Sequence, residues 1–485
     1  MKVAVHRQLS APGVLAACLV SAGCRDARPE GDTGPPTCEI PEDRLRLATG
    51  EPIDVELRGD EEGAALGSDV AALPGASWGI AVGGHSADDP EQSAGLVRIA
   101  IDPPAGVCLA SECSVVVRGE RQSDLLGGAV ANAGDVNVDG QVDVVAGASR
   151  FTAPEPHADS EGQAVLVTSP FESMSLSEAE RVWTGATPNA VFGWAVAGVG
   201  DTDGDGTLEV LIGSPYDTTT GVEAGAAYLL ATDAPSGPAD EVAQAILLGE
   251  DEYDQAGFAV EPAGDVDGDG LADVLVTAQQ SSVLGLFEGA GYVMLGPVSG
   301  TVNLADANGR ILGVGNSGQL GWAADGGEDA NGDGLDDLVL AGVTSRWYDE
   351  LAATTYVFFD YRTPDSDGAD AMVRGFDPYA HLGDSLTFIP DADGDGRAEL
   401  ALAWNADPDP AVGSVWVFSD LEPGMHDICE MEVVYQGIHE MDWLGYSVDG
   451  ADLDGDGRGD LVIGAALRDN FEGEEGSALV VLGSW

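Results

Sequence analysis

The chain has 485 residues, with 85 acidic against 19 basic side chains, a formal net charge of −66 and 68 glycines. So few cations spread over such a length cannot neutralise a phosphate backbone or an anionic membrane, which excludes nucleic-acid and acidic-lipid binders. With 44% hydrophobic and 21% charged residues the sequence buries a large core, so the acidity does not mark a disordered polyanion.

The first element reads as an export signal over residues 1–24. Lys2, His6 and Arg7 precede a largely apolar stretch from Leu9 to Gly23, and the chain turns polar at Arg25. That order is a secretory signal, and the stretch is short for a membrane span. Two cysteines stand where an acylated lipoprotein cysteine would be. Leu15-Ala16-Ala17-Cys18 fits by letter, while Cys24 leaves a longer apolar region and is preferred; cleavage without lipidation is the alternative. Residues 25–52 are expected to be a flexible tether.

From residue 53 the chain repeats itself. Glycine pairs eight apart recur seven times: Gly59/Gly67, Gly119/Gly127, Gly185/Gly193, Gly249/Gly257, Gly313/Gly321, Gly375/Gly383 and Gly437/Gly445. The second glycines lie 60 to 66 residues apart, a period that means a solenoid, a propeller or an array. In the third unit the apolar runs Trp194–Val199, Val210–Ile212, Ala226–Leu230 and Ala245–Leu248 are strand-sized, with no helical period between them. Seven such units predict an all-β, seven-bladed propeller of four-stranded antiparallel blades over 53–485. After Gly445 only three strand-like runs remain, whereas Ile53–Gly59 is an extra one before the first unit. Pairing it with the last blade would complete that blade and close the ring.

Six units carry an acidic nonapeptide with a glycine at position 6. Its first, third, fifth and ninth side chains and seventh backbone carbonyl can surround a cation of calcium's size, and the glycine permits the turn that aims them inward. The candidate ligands are Asp135, Asn137, Asp139, Gln141 and Asp143; Asp201, Asp203, Asp205, Thr207 and Glu209; and Asp265, Asp267, Asp269, Leu271 and Asp273. The later loops offer Asp329, Asn331, Asp333, Leu335 and Asp337; Asp391, Asp393, Asp395, Arg397 and Glu399; and Asp452, Asp454, Asp456, Arg458 and Asp460. An EF-hand fails here, because it needs a bidentate Glu at position 12, where these loops have Ala146, Ile212, Val276, Leu340, Leu402 and Ile463. The loops therefore join the first two strands of a blade, and about six structural Ca2+ sites are expected.

The run Phe192-Gly193 through Asp201, Asp203, Asp205, Gly206 and Glu209 to Gly213-Ser214-Pro215 resembles the FG-GAP repeat of the integrin α-subunit N-terminal propeller. The resemblance implies a seven-bladed ring with structural calcium in its acidic loops and a ligand on the opposite face. The first unit departs from it, with Pro74-Gly75-Ala76-Ser77-Trp78-Gly79 in place of the acidic loop, so no metal is expected there. The absence of leg domains points to a freestanding bacterial relative.

Three further motifs are set aside or reassigned. Arg458-Gly459-Asp460 lies inside a metal loop, and Gly75–Gly79 has the letters of a hydrolase elbow without its strand-to-helix context. Cys108 and Cys113 lack the partners of a zinc site and suit a disulfide, with Cys38 and Cys429 as a second candidate pair, although four mature cysteines allow three pairings.

Strand parity puts the acidic hairpins on one face of the ring and the loops between strands 2 and 3 and between blades on the other. The loop-face candidates for ligand contact are Tyr216, Tyr253, Arg346, Trp347, Tyr348, Phe376, Tyr379, His381, His439 and Trp443, a composition typical of recognition patches. The functional expectation is a monomeric, exported, calcium-stabilised module for adhesion to a protein or glycan at the cell surface or in the periplasm, through an outer-membrane lipid anchor or after secretion. A propeller-type polysaccharide lyase or hydrolase is the alternative.

Overall fold

The computed structural model describes residues 44–47, 53–61, 63–75, 77–88, 93–149, 161–314, 318–342, 353–375, 382–404, 412–419, 421–437, 442–467 and 475–483. The proposed signal, both candidate lipidation sites and Cys38 lie outside them.

The chain is a seven-bladed β-propeller. Each blade is a four-stranded antiparallel meander running outward from the axis; the third comprises Val196–Gly200, Glu209–Ser214, Ala226–Ala231 and Ala245–Leu248. The seven innermost strands touch in sequence around the ring, and the last, Leu444–Ala451, meets the first, Asp69–Leu73. Second strands such as Glu209–Ser214 and Asp460–Ala465 are buried on both faces, because blades stack face to face. The core is accordingly divided into seven clusters, each filling one inter-blade seam: Leu211, Leu229 and Leu247 of blade 3, for example, pack with Val274, Val276 and Tyr292 of blade 4. Burial at such a density is the main stabilising term of the fold.

The spaced glycines have a geometric cause. The second glycine of every pair has a left-handed backbone, with φ between +81° and +90°. Its carbonyl also abuts the preceding blade: a Cβ placed on Gly147 or Gly213 would lie 2.0 or 2.2 Å from the carbonyl oxygen of Gly193 or Gly257. The repeat thus records where adjacent blades approach too closely for a side chain.

Val55–Arg58 pairs antiparallel to Ser477–Val481 and supplies the fourth strand of blade 7. A second joint was not anticipated. In several blades the connection from strand 3 to strand 4 lays a short parallel strand on the outer edge of the preceding blade, as Gly300–Asn303 does on Ala245–Leu248. Blade 7 has no internal connection of that kind, because its fourth strand comes from the other end of the chain. Leu45–Leu47 takes that place and pairs in parallel with Val433–Gln436 of blade 6, with Val434 N–H donating to the Arg44 carbonyl. The stretch read from sequence as tether therefore includes a docked strand, and a three-residue strand bounded by Glu, Asp and Gly carries too little pattern to be read.

Cys108 and Cys113 form the disulfide expected of them in preference to a zinc site. Cys429 is also disulfide-bonded.

Candidate metal hairpins, axial channel and loop face

The six acidic hairpins share one hydrogen-bond plan. Position 1 accepts from the N–H of the glycine at position 6, as Asp201 does from Gly206 at 2.9 Å, and position 5 accepts from the N–H of position 7, as Asp205 does from Thr207 at 2.7 Å. The same pairs recur from Asp135–Gly140 to Asp452–Gly457 and from Asp139–Gln141 to Asp456–Arg458. Each carboxylate is thereby oriented while keeping unused lone pairs.

In three loops, Asp201/Asp203/Asp205, Asp265/Asp267/Asp269 and Asp391/Asp393/Asp395, one oxygen of each residue lies within 4.8 Å of the others. Asp452, Asp454 and Asp460 do the same in blade 7. Such all-oxygen donor sets fit a hard divalent cation. The loops of blades 2 and 5 have Asn137 and Asn331 at position 3 and keep the position 1 and 5 contacts. In blade 1, Gly75 instead pairs with Gln141, whose side-chain amide donates to the Ser77 carbonyl at 2.6 Å.

Position 9 sits deeper than sequence suggests. Asp143, Glu209, Asp273, Asp337, Glu399 and Asp460 are buried, and each accepts from the N–H of position 2. Burial raises their pKa values, to about 6 for Asp273 and Asp460 and about 7 for Asp337 and Glu399, with neighbouring loop carboxylates adding to the effect. A bound cation would reverse that cost. Position 9 thus serves as hairpin anchor as well as potential ligand.

Every hairpin also needs a left-handed residue at position 4. Five have glycine there, from Gly204 to Gly455; blade 2 has Val138, with φ +58° and 86% exposed.

Inner strands of all seven blades enclose an axial channel of about 560 Å³. Asp69, Glu261, Asp325, Asp384 and Asp449 line it, and no basic side chain does among the described residues. Three of them tie blades together: Asp69 accepts from Val130 N–H at 2.8 Å, Asp325 from Phe388 at 2.7 Å and Asp449 from Ala72 at 2.7 Å. Their other oxygens accept from the next N–H in their own strand. Burial raises Asp325 to about 6 and Asp69 and Asp449 to about 7; burial and these three neighbours push Glu261 well above the usual carboxylate range. With both oxygens held by backbone, the three aspartates act as inter-blade fasteners.

On the loop side of the inner strands, three aromatics at matching positions of blades 3, 4 and 5 pack against one another with tilted rings, and the last, Trp322, lines the channel. The Trp194 and Phe258 rings are 5.5 Å apart, those of Phe258 and Trp322 5.3 Å, and all three are half-buried. Sequence reading placed Trp194 in a strand-like run and singled out neither Phe258 nor Trp322; the signal was their shared position, one residue after the second glycine. Of the loop-face candidates, Tyr253 is 50% exposed and Tyr216 is half-buried, whereas Trp443 stacks on Tyr446 at 6.0 Å and so packs under its own loop. Arg346, Trp347, Tyr348, Phe376, Tyr379, His381 and His439 lie outside the described residues.

Comparison with known proteins agrees with this architecture. Residues 192–230, 257–294 and 444–481 match the FG-GAP repeat. The chain is 28% identical over 236 residues to integrin alpha pat-2 of Caenorhabditis elegans, 46% of this chain and 18% of that protein. It is 27% identical over 182 residues to mouse integrin alpha-IIb, 37% of this chain and 17% of the relative. To Drosophila melanogaster integrin alpha-PS2 it is 29% identical over 171 residues, 33% and 12% of the two chains. Three of the seven blades thus match the FG-GAP repeat, and the chain resembles integrin alpha subunits while matching less than a fifth of each relative's own length.

Proposed function

We propose that this propeller is an exported, calcium-stabilised binding module that recognises a protein or glycan with the face opposite its acidic hairpins. The observation that carries the reading is the row Trp194, Phe258 and Trp322, whose last member lines an acidic channel. Aromatic surface presented over several rigid strands gives contact area at little conformational cost, which is the usual make-up of a binding hot spot. The hairpins supply stability from the other side, and about six Ca2+ ions are their proposed occupants. Lipid anchoring through Cys24 would hold the module at a membrane surface; no helix among the described residues is long and apolar enough to cross one. The loop residues Arg346, Trp347, Tyr348, Phe376, Tyr379, His381 and His439 are proposed to extend the binding face.

The test is a panel of glycans and exported proteins presented to the calcium-loaded protein, measured for binding and for turnover. Phe258→Ala should weaken the ligand found about tenfold or more while its circular dichroism stays that of the parent. Asp203→Ala and Asp267→Ala should lower the melting temperature and leave affinity intact in the folded fraction. Loss of binding in a fully folded hairpin variant would put the metal in the recognition site and refute the assignment of faces; turnover without retained binding would favour an enzyme.

A further inference from the structure

Ten large apolar side chains are strongly exposed among the described residues, and seven of them fall in four loops of the face opposite the hairpins. Val222 is in the 2–3 loop of blade 3, Tyr253 in the loop entering blade 4, Leu284, Leu286 and Phe287 with Val283 in the 2–3 loop of blade 4, and Val314 in the loop entering blade 5. Backbone hydrogen bonds join these loops edge to edge: Tyr253 N–H donates to the Val222 carbonyl at 2.8 Å, Gln280 to Asp254 at 3.3 Å and Gln319 to Phe287 at 3.1 Å. The apolar groups therefore form one band along the rim of blades 3 and 4. Soluble monomers rarely cluster exposed apolar surface in this way without a partner for it.

The backbone at the band gives a second reason to read it as functional. The residue two before the glycine closing each 2–3 loop is left-handed wherever it is described. It is Ser93 in blade 1 and Glu223 in blade 3, but Phe287 at φ +54° in blade 4. Four residues before the second repeat glycine, the left-handed position is held by Gly63, Ser123 and Asn189, but by Tyr253 at φ +70° before blade 4. The scaffold accepts small or polar residues at both sites. Bulky aromatics are disfavoured in this region of backbone space, and here they are half-exposed rather than packed, so they add strain without core.

The charges around the band narrow its occupant. Segments 220–225, 250–256, 279–289 and 313–319 contain no Lys, Arg or His. Glu223, Asp251 and Glu252 flank the apolar groups, on a chain of net charge −66. A second copy of the chain would bring like charge against like charge, and an anionic bilayer would be repelled for the same reason. Resting on the proposal that this face binds a ligand, we infer that the band docks a polypeptide segment of its partner whose apolar side chains are flanked by Lys and Arg.

The probes are two synthetic peptides with the same Leu and Phe pattern, one flanked by Lys and one by Glu, titrated into the calcium-loaded full chain by fluorescence anisotropy. The Lys-flanked peptide should bind, and its affinity should fall at least tenfold between 50 mM and 500 mM NaCl; the Glu-flanked one should not bind. Tyr253→Ser and Phe287→Ser copy residue classes the scaffold uses at these positions, so each should melt no lower than the parent, and the pair together should weaken the peptide tenfold or more. A lower melting temperature would make the aromatics structural and overturn the inference, as would unchanged peptide affinity or no binding of the Lys-flanked peptide. Dimerisation in sedimentation, or binding to phosphatidylcholine–phosphatidylserine vesicles abolished by the same substitutions, would assign the band to another occupant. Phe258→Ala separates the two proposals: loss of the ligand found by the panel, with the peptide unaffected, leaves the aromatic-row site standing whatever happens at the band.

Discussion

Leu57 is the sharpest probe of how the ring is held shut. It is fully buried in the strand that completes blade 7, where it lies opposite Ala478 and packs in the seam with Val462, Val480 and blade 1. Its blade 7 partners Val462, Ala478 and Val480 are more than 400 residues away in sequence, so the cost of truncating it reports on closure. Leu57→Ala removes three buried carbons and leaves a cavity between two rigid sheets, which costs about 2–5 kcal/mol. That is a large share of a typical stability of roughly 5–15 kcal/mol. Val107→Ala is the control, since Val107 lies on the neighbouring outer strand, 57% exposed, and should cost less than about 0.5 kcal/mol. Urea unfolding with calcium present, followed by tryptophan fluorescence, reads both. Equal midpoints for the two variants would mean that the N-terminal strand does not carry the seam, and the closure described above would be wrong.

Chelation should lower the melting temperature by many degrees: six sites, each at free calcium ten times its dissociation constant, contribute about 1.4 kcal/mol apiece, or about 8 kcal/mol together. An unchanged melt in excess chelator would show the hairpins to be metal-independent. Val138→Gly should stabilise by about 1 kcal/mol, because a β-branched residue is held left-handed where five sister loops have glycine; a lower urea midpoint would contradict this. In calcium, where the hairpin carboxylates are held ionised, the axial groups should still make stability fall as pH rises. Their folded pKa values of about 6–7 for Asp325, Asp69 and Asp449 exceed the unfolded ones, so the stabilisation is full below about pH 4 and is lost on passing pH 6–7. Glu261, raised further by burial and these neighbours, should behave likewise, so Glu261→Gln should raise the melting temperature at pH 8 and change it little at pH 5; an equal change at both would disprove the coupling.

What could be read from sequence was whatever the fold demands in every blade. The second glycines recur because each must be left-handed at a blade contact, and the acidic loops recur because each hairpin must place oxygens around one point. A constraint imposed seven times is visible in a single chain. Features without a strong local pattern were not: Leu45–Leu47 has three residues of strand and lies ahead of the glycine repeats, and Asp69, Asp325 and Asp449 look like ordinary strand aspartates until closure points them into a shared channel. Trp194, Phe258 and Trp322 each follow a second glycine, but their mutual contact depends on blades lying side by side, which spacing alone does not display.

The same reasoning explains why the two faces carry different kinds of information. On the hairpin face each carboxylate has a backbone donor at a set position, so substitution there removes a hydrogen bond and a potential ligand together, and the sequence is held to a pattern. At the exposed band the opposite loops meet through main-chain contacts such as Tyr253 N–H to Val222 and Gln319 N–H to Phe287, while side-chain bonds such as Gln280 to Gln255 tie them elsewhere. The main-chain bonds fix the loop path and leave side-chain identity open, provided the left-handed positions are tolerated. A serine satisfies them at 93 and a phenylalanine at 287, and the difference changes what the surface presents while leaving the ring beneath it unaltered. Specificity can therefore be rewritten on the loop face at a cost limited to local backbone strain, whereas the hairpin face is tied to stability.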